Sequence, residues 1–447
     1  MTDDTPTDAL LEDLKLALRV LQTNAKNAKK YQDYYAGNQR LEYASPNMTR
    51  AFANARDVKY CQNWCAAVVD ATTDRLTFKG WDNPDANVDM ILDANYAKLK
   101  IKTISRQIHK DAVMTGNGYL MYDEVDGETV LYRNNPRQVS VIYSEDNPNE
   151  KRLAIKVYVE NDKTHLILYY PDRTDEYIGD KNATKAEHFK LADTGSSDGI
   201  PIVHFRCEPD LRNIVPIQDA INKLYSDMMV VSEYNAYPQR WAITNADVSD
   251  LKADPSMLWR IPKSESGEGE PTQLGQFGAM DVTQYTDMIN TLTNAIAVIS
   301  RTPKYYFERT GANISGEALI VMESPLVKKV KQLQENFEQA WLELASAINL
   351  NTENTIVTWE KAESDQPLSE AKAIQIEVLT GVPLVTALRN RGWSRDQIIQ
   401  LEKDREEELN YKRERAKVRL QEVMAEQSQY NNPLTDTRTQ SQQGEIE

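Results

Sequence analysis

Residues 280–350 constrain the fold more than any other stretch of this chain. Residues 281–300 repeat apolar side chains at helical spacing, placing Tyr285, Met288, Ile289, Leu292, Ile296 and Ile299 on one face. Residues 301–315, RTPKYYFERTGANIS, interrupt that repeat with Pro303 and Gly311. From Gly316 to residue 350 the stripe resumes through Leu319, Met322, Leu326, Val330, Leu333, Phe337, Trp341, Leu344 and Ile348. A helix of that span is roughly 50 Å long at 1.5 Å per residue. With one apolar stripe it must lie against other helices, in its own chain or in neighbouring copies. Pro325, inside it, predicts a kink or a local break.

A chain of 447 residues has room for two or more units with their own cores. Hydrophobic residues at 40% and charged residues at 27% make it globular. No apolar run reaches the roughly 18 residues of a membrane span. The start, MTDDTPTDALLEDLK, lacks the positive-then-apolar layout of a signal peptide, so a cytoplasmic site of synthesis is expected. Three cysteines are an odd number and make no disulfide framework. The net charge of -16 argues against a simple grip on DNA phosphates. It serves either solubility alone or a surface that must not stick to DNA.

Along the chain, residues 9–30 read as a helix with Leu10, Leu14, Leu18 and Leu21 on one side. Residues 57–76 read as a second, carrying Cys61, Trp64, Cys65, Val68 and Val69, and residues 101–114 as a third, closed by Gly116 and Gly118. The period then changes to two. Strands at 119–122 and 129–132 flank the turn Asp126-Gly127, and 139–143, 153–159, 165–170 and 175–178 continue an antiparallel meander. Residues 193–199 read as a loop and 200–205 as a later strand. Helix returns at Pro216, with Ile217, Ile221, Leu224, Met228 and Val231 on one face, until Pro238 ends it. An insertion with short apolar pieces follows, too small for a core of its own. Residues 356–359 read as one more strand. Helices at 369–379 and 383–391 precede a charged helix to about Gln429, opened by Ser394 with Gln397. The tail from Tyr430 has no periodicity.

No motif for catalysis emerges. Gly311 to Gly316 has the spacing of a phosphate loop, but Glu317 and Ala318 stand where Lys and Ser or Thr are needed. The segment reads as a helix-start turn. His109, His165, His188 and His204 are scattered without metal spacing, and Cys61 and Cys65 read as buried small side chains. Tyr31, Tyr34 and Tyr35 read as packing at a helix end, and the charged C-terminal helix as a solvated face. Neither a cofactor nor a metal is expected.

Five pieces in one order carry a resemblance. They are Tyr34-Tyr35-Ala-Gly37; Asn63-Trp64 with Val68-Val69-Asp70, Arg75-Leu76 and Gly80-Trp81; Gly199-Ile-Pro201-Ile-Val203 leading to Pro216-Ile-Gln-Asp-Ala-Ile-Asn222; Tyr237-Pro-Gln-Arg-Trp241; and Thr302-Pro303 followed by Ile314-Ser-Gly-Glu-Ala-Leu319. From about Tyr31 to about Gln429 the chain resembles the portal proteins of tailed bacteriophages, in the branch typical of siphophages of Gram-positive hosts. The resemblance implies an α+β, mainly helical fold that assembles into a cyclic ring. It divides the chain into a wing (1–210, with 351–366), a stem helix (211–237), a clip (238–280), a second stem helix (281–300), a tunnel loop (301–315), a long wing helix (316–350), a crown (367–429) and a disordered tail (430–447).

The implied function is structural: a head-to-tail connector ring, usually a dodecamer, at a unique capsid vertex of the virion and assembled in the host cytoplasm. Double-stranded DNA is packaged, retained and ejected through it without sequence preference. Implied partners are other copies of the chain, the terminase large subunit, a head–tail adaptor, and the major capsid and scaffolding proteins, with no membrane. The tunnel loop implies a channel lining of Arg301, Thr302, Pro303, Lys304, Tyr305, Tyr306, Phe307, Arg309, Asn313 and Ser315. The clip implies partner docking through Trp241, Trp259 and Pro262. Arg301, Lys304 and Arg309 either approach DNA or make ordinary salt bridges with nearby acids. The competing readings are a packaging-associated phage enzyme, nuclease or terminase-related, and a soluble adaptor or scaffold.

Overall fold

The computed structural model describes residues 8–39, 62–236, 240–243, 273–307, 316–348, 353–363, 367–391, 393 and 395–430. The chain divides into two compact units, Met1–Glu363 and Ser364–Glu447.

In the first unit, α1 (Asp8–Tyr35) buries Leu14, Leu18 and Leu21 against a five-stranded sheet, where they meet Leu153, Ile155, Leu166, Leu168, Tyr177 and Phe189. That sheet has the antiparallel order β4 (Val139–Tyr143), β5 (Lys151–Glu160), β6 (Lys163–Tyr169), β7 (Arg173–Asp180) and β8 (Phe189–Ser196). A separate three-stranded sheet sets β2 (Asn117–Val125) between β3 (Glu128–Asn134) and β9 (Ile202–Arg206). The expected meander is therefore two sheets. Asp126 and Gly127 turn the first hairpin with φ of 54° and 77°, the left-handed pair that a two-residue turn needs. The loop expected at 193–199 is corrected in its first half, because Asp193 to Ser196 complete the ladder of β8 on β7.

Helix α2 (Trp64–Thr73) starts later than its apolar pattern suggests. Asn63 caps it, its side chain accepting from the Ala66 N–H, and Gln62 and Asn63 are not helical. Two elements gave no sequence signal strong enough to be read: β1 (Phe78–Asp82), which pairs with β12 (Ile356–Trp359) from the far end of the unit, and α3 (Ala86–Lys98), capped by Asp85. Helix α4 (Ile101–Thr115) closes on Gly116 at φ 88°. Gly118 follows because a Cβ there would lie 2.7 Å from the Ile108 carbonyl oxygen, so the helix and β2 touch backbone to backbone.

Helices α5 (Val215–Ala236) and α6 (Thr283–Ser300) pack on each other, and the Asn235 side chain bonds the Met280 backbone at 2.8 and 2.9 Å. Their apolar faces differ from expectation. On α6, Ile289 and Ile296 are buried, but Met288 and Ile299 are 54% and 48% exposed. On α5 four polar side chains, Gln218, Asp219, Asn222 and Ser226, are buried beside Val215 and Ile221. Between the two helices, β10 (Arg240–Ile243) pairs with β11 (Gln273–Gln276), and Gly275 leaves room for the Trp241 ring to lie over it.

Helix α7 (Gly316–Ala347) runs 32 residues and shows no break at Pro325. Its stripe, Leu326, Val330, Leu333, Phe337, Trp341 and Leu344, is the spine of the main core. There Phe78 stacks on Trp341 at 4.1 Å, and Phe205 and His109 pack on Phe337 and Trp341. His109 sits with Nδ1 at 3.1 Å from the Leu76 carbonyl oxygen, while its Nε2 accepts the Trp341 indole N–H at 3.1 Å. The indole can only donate, so Nδ1 carries the ring proton. Burial holds this imidazole's pKa down to about 4.

The second unit contains α8 (Pro367–Leu379), α9 (Leu384–Arg389) and α10 (Arg395–Tyr430). Ala387, Leu388 and Ile398 form its small buried centre, and Arg391 clamps both Glu377 oxygens at 2.7 and 2.8 Å. Ser394, the expected helix cap, and the tail from residue 431 lie outside the described residues.

Candidate functional site

The candidate site is the root of the segment between α6 and α7. Helix α6 ends in a Schellman turn: Arg301 adopts φ 59° and donates to the Val298 carbonyl at 3.3 Å, and Thr302 donates to the Ala297 carbonyl at 3.0 Å. Glycine is the usual occupant of the left-handed position, and here it is an arginine, at the strain cost of its Cβ. Thr302 is buried and accepts the Ser300 hydroxyl at 2.9 Å. Pro303 is buried too, and Lys304–Tyr306 make one turn of 3₁₀ helix.

The aromatics of this segment are tied to the body. Phe307 is 7% exposed and meets Trp64 edge to face at 5.3 Å. The Tyr305 hydroxyl donates to Glu323 on α7. Burial first, and then that carboxylate, push the Tyr305 phenol above its ordinary range. Arg75 joins the cluster, donating to Glu323 at 2.9 Å, to the Tyr306 hydroxyl at 3.3 Å and to the Ala362 carbonyl at 2.8 Å. Arg301 and Lys304 are exposed. Arg309, Asn313 and Ser315 lie outside the described residues, as do Trp259 and Pro262. Trp241 is half-buried at the base of the insertion.

Behind the root lies a mostly buried ion pair. Lys329 Nζ of α7 donates to Asp210 at 2.5 Å, to the Thr72 hydroxyl at 3.1 Å and to the Ser300 carbonyl at 3.1 Å. One ammonium thus joins the long helix, the C-terminus of α6 and the end of α2. Burial pushes the Asp210 carboxyl upward, and Lys329, Thr72 and Arg301 pull it back. A polar cavity of about 270 Å3 opens here, lined in part by Asp210, Asn213, Ser300, Arg301, Lys329 and Gln332.

Segments far apart in sequence meet around the same centre. Tyr34 donates to Asp219 at 2.6 Å and Tyr35 to Asp70 at 2.9 Å. Asn63 donates to the Tyr35 carbonyl at 2.7 Å, and the Trp64 N–H to Gln218 at 3.0 Å. Gln62 is held by Asn222 at 3.2 Å. The tyrosines are packing groups: Tyr34 reaches the polar face of α5, and Tyr35 is held by Asp70 of α2 and Lys110 of α4. The order of the quoted pieces in the sequence hid this contact. Lys329, Asp210 and Thr72 gave no signal, since each partner lies over a hundred residues from another.

Chemically the arrangement is mechanical. Among the described residues no group of three or more His, Cys, Asp or Glu side chains is placed to hold a metal ion. Among them, too, no helix is long and apolar enough to cross a membrane.

The family model for "Phage portal protein, SPP1 Gp6-like" matches residues 16–410 of this chain. A portal protein of Mycobacterium phage D29 is 28% identical over 144 residues, covering 30% of this chain and 28% of that protein's length. The alignment therefore spans under a third of that relative.

Proposed function

This chain belongs to the SPP1 Gp6-like family of phage portal proteins, and from that premise we propose that it is the subunit of a ring at one vertex of a capsid. DNA is packaged, held and ejected through the ring, and the chain itself performs no catalysis. The family match, which runs through both units, is the observation that carries this reading. In it, residues 1–210 with 351–366 are wing, α5 and α6 are stem, 238–280 are clip, 316–350 form the long helix, and 367–429 are crown. A dodecamer is the expected count. The terminase large subunit and head–tail adaptor dock at the clip, with Trp241, Trp259 and Pro262 as contacts. Scaffolding and major capsid proteins meet the wing.

Exposed apolar side chains support a ring. Met229 on α5, Met288, Val298 and Ile299 on α6, and Ile243, Leu274 and Phe277 in the insertion are 41–79% exposed. Such surface calls for cover, and head-to-tail copies around a closed ring supply it. The acidic charge suits a channel: within a Debye length of about 8 Å, wall carboxylates repel DNA and keep it from sticking. Residues 301–315 form the loop facing DNA, with Arg301, Lys304 and Arg309 as its cations. Thr302 and Phe307 anchor its first half to the body of the subunit.

Electron microscopy of the purified chain tests this reading. A closed ring with a central channel is expected, and a folded monomer at every concentration and in assembling capsids overturns it. Replacing residues 309–315 by a short Gly-Ser linker should impair packaging or DNA retention with rings intact. Loss of rings instead makes the loop structural.

A further inference from the structure

Helix α1 carries a charge pattern that the channel does not use. Between Asp13 and Asp33 it holds Lys15, Arg19, Lys26, Lys29 and Lys30 and not one acidic residue, in a chain of net charge -16. At 3.6 residues per turn the five cations fall within an arc of about 100° and run about 22 Å along the helix. All five are exposed, and none pairs with a described carboxylate. Glu12 and Asp33 flank the stripe at its two ends, and Asp13 is taken by Arg152 at 2.5 Å. The apolar side of the helix is held to the sheet by Leu14, Leu18 and Leu21, so the stripe is fixed in orientation.

The turn before β4 adds a sixth cation. Asn135 accepts from the Arg137 backbone N–H at 3.0 Å and from Gln32 of α1 at 3.2 Å, which sets Arg137 beside the helix. Lys26, Lys29, Arg137 and Gln138 line an open groove of about 610 Å3. None of the exposed large hydrophobic residues lies on α1. A protein partner needs apolar or aromatic anchors to hold it. A phosphate backbone needs only charge and donors.

We infer that the α1 stripe with Arg137 is a second, sequence-independent surface for the phosphate backbone of double-stranded DNA, on an element apart from the 301–315 loop. It rests on the portal reading for the presence of DNA beside the subunit. The acidity of the remaining surface does not forbid it, because charges beyond about 8 Å are screened at physiological salt.

The test is fluorescence anisotropy of a 30-base-pair duplex of arbitrary sequence with the full-length chain, across 50–200 mM salt. The triple variant Lys26→Gln, Lys29→Gln, Arg137→Gln removes three contacts. It should flatten the slope of log affinity against log salt by about 2.7, so that the wild type loses about 40-fold more affinity over that range. A second variant, Lys15→Gln with Arg19→Gln, should flatten it by about 1.8. All five positions are exposed, so folding is expected to survive, and the urea midpoint checks it. Slopes unchanged in both variants overturn the inference. So does a wild type that binds poly-glutamate but not the duplex, or a loss of rings in the variants, which would make the stripe a contact between copies. Rings that form with no stripe-dependent DNA binding would sink this inference and leave the portal reading standing.

Discussion

Replacing Lys329 by methionine keeps the length of the side chain and removes its charge. In the wild type the Lys329 and Asp210 side chains are only 13% and 11% exposed. The ammonium has Asp210, Thr72 and the Ser300 carbonyl as acceptors, at 2.5, 3.1 and 3.1 Å. Removing one partner of such a buried pair costs about 3–5 kcal/mol, mostly through the charge left behind. Asp210 has one escape, which is to take up a proton. Burial already pushes its carboxyl upward, and without Lys329 the largest opposing influence is gone. A carboxyl whose folded pKa lies above its unfolded value stabilises the fold at low pH and loses that contribution as pH rises. The deficit of Lys329→Met against wild type should therefore be small near pH 4 and grow toward pH 8. Urea unfolding followed by tryptophan fluorescence at several pH values measures it. The double variant Lys329→Met with Asp210→Asn should recover most of the loss at pH 8. A deficit below about 1 kcal/mol at pH 8, the worth of an exposed pair, would refute the claim that this contact fixes the loop root. A deficit independent of pH would refute the part assigned to Asp210.

His109, held neutral with a pKa near 4, makes stability fall as pH drops from about 6.5 toward 4, by about 3 kcal/mol in all. His204, lowered to about 3 by burial and by Lys151 and Arg206, acts in the same direction. A His109→Leu variant starts less stable, because the Trp341 N–H loses its acceptor, but shows a shallower acid loss in urea titrations. Arg301→Gly should raise stability by about 0.5–1 kcal/mol by relieving the left-handed Cβ. The same change should lower DNA retention in assembled particles. Unchanged retention would assign Arg301 to the fold alone.

Periodicity made the long elements legible. The apolar stripe of α7 from Leu326 to Leu344, and Leu14, Leu18 and Leu21 of α1, are buried as their spacing implied, because burial of one helix face is a local pattern with a single solution. Leu10, Leu319, Met322 and Ile348, at the ends, are only half-buried. The hairpin at Asp126-Gly127 was equally plain, since few residue pairs tolerate its backbone. β1 and α3 were not legible. The short strand β1 is stabilised by β12 from the far end of the unit, and no local window contains that partner. The apolar repeat of α6 likewise indicated a helix but not which residues are covered, so Met288 and Ile299 stand exposed in the single chain.

At the candidate site the division is sharper. The sequence by itself determined that a polar, aromatic segment joins two amphipathic helices, that it lacks the residues to cradle a phosphate, and that the chain around it is acidic. Only the tertiary structure decided that Phe307 and Tyr305 are anchors, on Trp64 and Glu323. It alone brought Lys329 to Asp210, Thr72 and the end of α6. The reason is physical. Local pattern reports which face of an element prefers to leave water, whereas a buried charge is tolerable only where distant segments converge to neutralise it.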